Sequence, residues 1–353
     1  MSVFGLPSPR RLDTEGMWDA TAGLPEQLAS AVARAEAADL SGVDPAAGWG
    51  EVVVCGMGGS GIAGDVLAAL AWTRMQLPVT VVKSYRLPVR VGPRALVVAV
   101  SCSGATEETL AAAADAWERG ATVVTVSGPG PLARAAEEAG SPVVAVPAGI
   151  PEPRAALGAL AAPPLVVLER LGLLPGMRDL LAQTVEILQQ SRDMLVQPGS
   201  VAEHLARQIG RTIPLVHGAP GPTGVAALRW KTQVNENAKA PAFWALQPEL
   251  CHNEVAGWGQ HGDVTRQALT LVQLRYGGED PRVSRRSRLV RELVREVTAN
   301  VLEVRTDAES DVAALFDLCL LGDFVSLHLA AAEGVDPGPV PVLGDLKRAM
   351  AAP

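Results

Sequence analysis

The feature that most constrains this chain is a strand, a glycine-rich loop and a helix in immediate succession, an arrangement that occurs twice. Glu51–Cys55 (EVVVC) is a short run of apolar, β-branched residues, followed by a loop over Gly56–Gly64 and a helix over Asp65–Thr73. Near Thr212 the order returns, with a strand at Ile213–His217, a Gly/Pro loop at Gly218–Gly224 and a helix at Val225–Ala238. Short apolar runs without alternation suit strands buried on both faces. Further strands are expected at Val79–Lys83, Ala95–Val100, Thr122–Ser127, Pro142–Val146, Leu269–Arg275 and Val301–Val304, and helices at Thr106–Arg119, Leu132–Ala139, Leu165–Leu171, Arg178–Val196 and Asp311–Ala332. Strands alternating with helices need crossover connections, and crossovers give parallel sheets covered on both faces. The fold class is therefore α/β, with two domains, each a mainly parallel sheet flanked by helices. The divisions fall at 1–153 for an N-terminal helix and the first domain, 154–200 for linking helices, and 201–353 for the second domain with its C-terminal helix.

Composition excludes several classes of partner. The formal net charge is −8 and aromatic residues are only 4%, a poor endowment for attracting phosphate backbones or stacking bases, so no nucleic-acid partner is expected. A small anionic ligand remains compatible, because a few helix N-termini and cations outweigh a weak, screened field. Cys55, Cys102, Cys251 and Cys319 are widely spaced and form no CxxC pair, which fits a reducing, cytoplasmic setting. The N-terminal MSVFGLPSPRRLD lacks a signal pattern, and the apolar stretch around Ala155–Leu168 is interrupted by Pro163 and Pro164, so no membrane partner is expected.

Gly56, Gly58 and Gly61 satisfy G-x-G-x-x-G between a strand and a helix, which raises a dinucleotide site. Such sites carry an acid at the end of the next strand, and here that strand ends Val82-Lys83-Ser84. Lys83 could still meet a 2′-phosphate, which keeps an NADP-dependent reductase as a third reading. The next loop favours a phosphomonoester. Ser101, Ser103, Gly104 and Thr106 place three hydroxyls at a helix N-terminus, the donor set that a phosphate needs. The plainer alternative is that these residues cap a helix. With Gly58, Gly59 and Ser60 on the neighbouring loop, both loops open on the same edge of a parallel sheet.

The densest polar region is residues 230–258, where Asn235, Glu236, Asn237 and Lys239 end a helix ahead of Pro241, and His252 is followed by Asn253 and Glu254. A carboxylate among amides is a candidate general base, and His252 a candidate acid/base partner. The alternatives are a solvated helix face and a hydrogen-bonded structural histidine. No two of the five histidines have metal-ligand spacing with a carboxylate, so no metal is expected.

GMGGSGIAGD (56–65), SCSGATEET (101–109), PEPRAALG (151–158), NENAKAPAFW (235–244), LCHNEVAGW (250–258) and GVDPGPVPVLGDLK (334–347) occur in order along nearly the whole chain. Together they resemble the bifunctional phosphoglucose/phosphomannose isomerases of the sugar-isomerase-domain superfamily. The resemblance implies two sugar-isomerase-type domains, a phosphosugar substrate, a homodimer with a shared active site, and no cofactor. It implies phosphate binding by Gly58, Gly59, Ser60, Ser101, Ser103 and Thr106. Arg154 matches the arginine near C1 and C2, Glu236 the base that moves the proton between them, His252 a ring-opening histidine from the other subunit, and Lys347 a C-terminal active-site lysine.

The implied reaction converts glucose 6-phosphate or mannose 6-phosphate to fructose 6-phosphate through an enediol. It needs a carboxylate base and a cation for the developing oxyanion. A carboxylate serves best as a base when its pKa rises towards neutrality, so partial burial of Glu236 is expected. Two departures stand in the second loop, where relatives usually carry Asn at Ala105 and often Tyr at Cys102. Mannose tolerance in relatives is linked to a threonine near the C-terminal motif, and none follows Thr306 here, which leaves the aldose preference open. A non-catalytic sugar-phosphate-binding protein on the same fold is the alternative, against which the retained Glu236, His252, Arg154 and Lys347 argue. Arg282, Arg285, Arg286, Arg288, Arg291 and Arg295, with Glu292 and Glu296, read as a salt-bridged, solvated helix face; Cys251 and His217 read as structural.

Overall fold

The structure is a computed structural model that describes residues 12–351, so most of the N-terminal stretch read above for signal patterns lies outside the described residues. Five strands form the first sheet: β1 Glu51–Cys55, β2 Val79–Val82, β3 Ala95–Ser101, β4 Thr122–Ser127 and β5 Val143–Ala145, in the order β2-β1-β3-β4-β5. Four form the second: β6 Ile213–Gly218, β7 Phe243–Leu246, β8 Leu269–Arg275 and β9 Asn300–Arg305, in the order β7-β6-β8-β9. Every pairing is parallel, and the two sheets are wound the same way, from a first strand outwards in both directions. The valine-rich strands β1 and β3 are buried throughout. Edge strand β9 alternates towards one face, because only one side of it is covered.

Helices cover both sheets. Those that matter for the site are α1 Met17–Ala22, α2 Leu24–Ala37, α3 Gly58–Ala71, α4 Glu107–Glu118, α5 Pro131–Glu138, α6 Leu157–Arg170, α7 Met177–Leu195, α8 Val201–Ile209 and α9 Pro222–Asn237, followed by α10 Gly262–Ala268, α11 Pro281–Val294, α12 Asp311–Ala332 and α13 Pro341–Ala351. α3 and α9, the helices that leave the first loop of each sheet, touch one another. α12 packs on α7, α8 and α9. Among the described residues α12 alone is long and apolar enough to cross a bilayer by length and composition, and most of it is buried inside the fold.

Three local readings differ from the sequence pattern. The glycine-rich loop after β1 is short, because α3 begins at Gly58, with Ser60 and Gly61 amides bonded to Met57 O at 2.9 and 3.0 Å. Likewise α9 begins at Pro222, where the fixed φ of proline suits a first helical turn. Pro163 and Pro164 do not break the chain. α6 runs through both, and Leu157–Leu168 are all buried, so packing of an entirely apolar helix outweighs the two missing amide donors. Helix α10 and strand β7 have weak sequence patterns and become evident only in the packed fold, whereas α8 carries a legible pattern, Ser200 capping it ahead of Glu203 and one apolar face of Ala202, Leu205, Ala206 and Ile209.

Candidate active site

β1 and β3 are hydrogen-bonded neighbours, with Cys55 opposite Ala99, so the loops after them emerge side by side. Ser60 joins the two loops: its Oγ accepts the Cys102 amide at 2.9 Å, and the residue is buried. Ser101 Oγ and Thr106 Oγ1 lie 3.1 Å apart, and Ser103 Oγ accepts the Ala105 amide at 3.2 Å while remaining exposed. Gly104 turns this second loop at φ +65°, a conformation that favours glycine. Gly59 is required for a different reason. A Cβ there would lie 2.5 Å from Pro153 O and 2.7 Å from Arg154 N, so the absence of a side chain lets the first turn of α3 press against the segment that carries Arg154.

Arg154 sits in a 3-10 turn, Pro153–Ala155, with its side chain 4% exposed. Each nitrogen of its guanidinium has an assignment. Nε donates to Asn237 Oδ1 at 2.8 Å, and Nη2 donates to the carbonyls of Pro337 (2.7 Å) and Gly338. Nη1 faces two carboxylates, Glu152 Oε2 at 3.3 Å and Glu236 Oε2 at 3.6 Å. The Glu236 side chain is 29% exposed, the partial burial expected of it, with one end on the guanidinium.

The base of the site is a buried network. Arg229, two turns before Glu236 on α9, pairs with Asp323 of α12 through Nε–Oδ1 at 2.9 Å and Nη2–Oδ2 at 2.6 Å, and also donates to Arg154 O at 2.8 Å. Asn237 Nδ2 donates to Ser326 Oγ at 2.9 Å. The amide that holds Arg154 is therefore itself held by α12. Fully satisfied buried polar networks of this kind fix side chains in one arrangement.

The C-terminal segment enters from above. Lys239, at φ +53°, donates through Nζ to the carbonyls of Asp336 (2.8 Å) and Pro337 (3.0 Å). Burial and the neighbouring Arg154 push its ammonium below the ordinary lysine range. Thr14 Oγ1 donates to Asp336 Oδ2 at 2.6 Å, and Glu15 lies against Gly338. Burial and Glu152 hold the Glu15 carboxyl above its usual range. Burial, with Glu152 nearby, pushes the Cys102 thiol up to about 11, so this cysteine is a neutral neighbour of the site.

Glu152, Lys239, Asp336 and Glu15 were not singled out as candidates from sequence. Signals exist for three of them, since Glu152 lies two positions before Arg154 in PEPR and Lys239 and Asp336 lie within NENAKAPAFW and GVDPGPVPVLGDLK; Glu15 joins them only through contacts of long sequence separation. Two candidates stand apart in the single chain. His252 is the exposed last residue of a 3-10 turn, Glu249–His252, whose Leu250 is buried, and Lys347 lies on exposed α13; neither the His252 nor the Lys347 side chain has a hydrogen bond or ion pair among the described residues. His217 is buried and bonded through Nε2 to Glu254 Oε1 at 2.8 Å, and Cys251 Sγ donates to Gln247 Oε1. Lys83, the residue that kept a 2′-phosphate open, is paired with Asp65 at 2.5 Å.

Two like-wound parallel sheets with helices between them define a double sugar-isomerase-domain protein. The same architecture, at TM-score 0.71 and 15% identity, is found in the tagatose-6-phosphate ketose/aldose isomerase of Escherichia coli, over 95% of this chain and 98% of that one. Residues 199–350 match the family model of the bacterial phospho-glucose isomerase C-terminal SIS domain. A bifunctional phosphoglucose/phosphomannose isomerase from Caldicellulosiruptor bescii is 33% identical over 339 residues, covering 95% of this chain and 99% of the relative. One from Aquifex aeolicus is 33% identical over 300 residues, covering 85% and 90%. The chain belongs to the bifunctional phosphoglucose/phosphomannose isomerase family.

Proposed function

We propose that this protein interconverts glucose 6-phosphate, mannose 6-phosphate or both with fructose 6-phosphate, by moving a proton between C1 and C2 with Glu236 as the base. The observation that carries this reading is the fixed Arg154 guanidinium, which turns Nη1 to Glu236 and is packed, through Gly59, against the hydroxyl-bearing loops. Phosphate bound by Gly58, Gly59, Ser60, Ser101, Ser103 and Thr106 would leave the sugar carbons reaching towards that pair.

Glu236 takes the C2 proton of the open-chain aldose as the C2–H electrons form the C1–C2 double bond and the C1 oxygen gains a proton; it then returns its proton to C1 as the C2 hydroxyl loses its own and C2 becomes the carbonyl. Negative charge grows on the enediol oxygens, and Arg154, already positioned, stabilises it without reorganisation. Because C2 becomes trigonal in the enediol, glucose and mannose 6-phosphates converge on one intermediate. His252 is assigned to ring opening, where a proton must move between the ring oxygen and the C1 hydroxyl, and Lys347 to the substrate's charged end.

The assignment of His252 requires a second copy of the chain; that of Lys347 names no subunit. Both assignments are supported by the exposure of both residues and by the apolar face of α13, where Val342, Leu343, Leu346 and Met350 are exposed beside Lys347. A helix with such a face gains from burial against a partner. The domain division at 153 and 201 is likewise part of this reading, supported by the spans of the two sheets.

A coupled assay with each aldose phosphate on wild type and Glu236→Gln tests the proposal. The expected loss of kcat is about 10²- to 10⁴-fold with retained substrate binding. Equal rates in the two proteins would remove Glu236 from the mechanism.

A further inference from the structure

α11 carries Arg285, Arg288 and Arg291 at every third residue, which places them along one helix face. That face looks onto the carboxyl ends of β8 and β9, whose last residues, Arg275 and Arg305, are direct partners in the sheet. Five guanidinium groups thus line a cleft of about 320 Å³, together with Pro281, Ser284 and Glu303. Neighbouring like charges across strands are unfavourable unless they are offset.

Two carboxylates offset part of the charge. Arg275, buried at 4% exposure, is gripped by Glu279, with Nε–Oε1 at 2.8 Å, and Ser284 Oγ accepts from its Nη2 at 2.6 Å. Glu303 pairs with Arg275 at 3.2 Å and with Arg291. Arg285, Arg288 and Arg305 have no ion pair among the described residues, and Glu292 and Glu296, which the sequence suggested would balance the helix, also form none. Asp280 caps α11 and pairs with Arg282, so the helix N-terminus is already occupied by a carboxylate. Three positive charges, on the exposed Arg285, Arg288 and Arg305, therefore converge on an open cleft in a protein whose formal net charge is −8.

The position has a counterpart. In the first sheet the connection from β3 to α4 carries Ser101–Thr106; in the second, wound alike, the connection from β8 to α11 lies beside the arginines. Both lie at the carboxyl edge of a parallel sheet, where ligands of α/β proteins bind. Hydroxyls and amides serve in one case, guanidinium forks in the other. A single phosphate cannot offset three guanidinium charges, and a concave site of this volume suits a small molecule better than a duplex.

We propose that the arginine-lined cleft between α11 and the carboxyl ends of β8 and β9 is a second ligand site, for a small molecule carrying two or more phosphate groups. Isothermal titration of the full chain with inorganic pyrophosphate tests this, with wild type compared to R285Q/R288Q; no turnover is involved, so the result is independent of the isomerase reading. Saturable binding in wild type, weakened about tenfold or more in the double variant with unchanged circular dichroism, is the expected result. Heat from pyrophosphate at the serine-bearing loops would survive in the variant, and equal affinity in both proteins overturns the proposal. R305Q carries the same expectation if the double variant fails to fold. Citrate binding more tightly than pyrophosphate would overturn the phosphate assignment. Tighter binding of a short DNA duplex, lost in the same variant, would overturn it in favour of nucleic acid.

Discussion

Arg154 lies 3.6 Å through Nη1 from Glu236 Oε2, and its other nitrogens are held by Asn237 and by the carbonyls of Pro337 and Gly338. One side chain thereby ties the start of α6, the end of α9 and the segment before α13 to the carboxylate assigned as base. A lysine cannot reproduce that fork. Arg154→Lys is expected to lower kcat by roughly 10²-fold, as loss of a preorganised donor does, and to destabilise the fold by about 1–3 kcal/mol, as buried acceptors lose partners. Steady-state kinetics and urea unfolding measure the two effects separately; a variant with wild-type kcat would show that Arg154 is structural only.

Gly59 couples the first loop to Arg154 by contact alone. Gly59→Ala puts a methyl group 2.5 Å from Pro153 O, a backbone atom that cannot swing aside. The turn of α3 and the Arg154 segment must separate, at about 1–3 kcal/mol. The thermal midpoint should fall and KM should rise with a smaller change in kcat. An unchanged midpoint would mean that the two segments are not held together at this point.

The proposed sharing of the site between two copies of the chain makes a prediction about mixtures. Glu236→Gln and His252→Gln subunits are each expected to be impaired as homodimers. Mixed dimers would contain one site with both residues intact, so co-expression should restore roughly a quarter of wild-type activity by statistics. If the mixture shows only the sum of the two variants' activities, His252 does not reach the partner's site.

His328 should make stability depend on pH. Burial holds its imidazole well below the usual range, at about 4, and Nε2 has no partner, while the ring packs edge-on to Trp18 at 4.8 Å. The folded state keeps the ring neutral below the pH at which the unfolded chain protonates it. Stability from this residue is thus complete above about pH 6.5 and declines as pH falls towards 4, by about 3 kcal/mol at most. Thermal midpoints between those limits should fall less steeply in His328→Leu than in wild type. Parallel curves would assign the acid sensitivity elsewhere.

The sequence exposed those parts of the fold that depend on short-range pattern. EVVVC and ALVVAV read as strands because residues in a doubly covered parallel strand are apolar or buried, and the hydroxyls of Ser101, Ser103 and Thr106 read as a helix start because such residues belong there. The pattern misled where packing overrode propensity. α3 starts among glycines because the chain must approach Pro153, and α6 continues through Pro163 and Pro164 because it is apolar on all sides.

By itself, then, the sequence determined two like-ordered strand–helix series and supplied Arg154, Glu236, His252 and Lys347 as chemically competent side chains. Only the tertiary structure decided that Arg154 would turn one nitrogen to Glu236 and give the rest to Asn237, Pro337 and Gly338, and that Lys239 would share the Pro337 carbonyl and take that of Asp336. It also decided that five arginines from α11, β8 and β9 would face one cleft. The reason is physical: propensity and periodicity act over a few residues, whereas the direction of a long charged side chain is set by which distant donors and acceptors burial brings within hydrogen-bond reach.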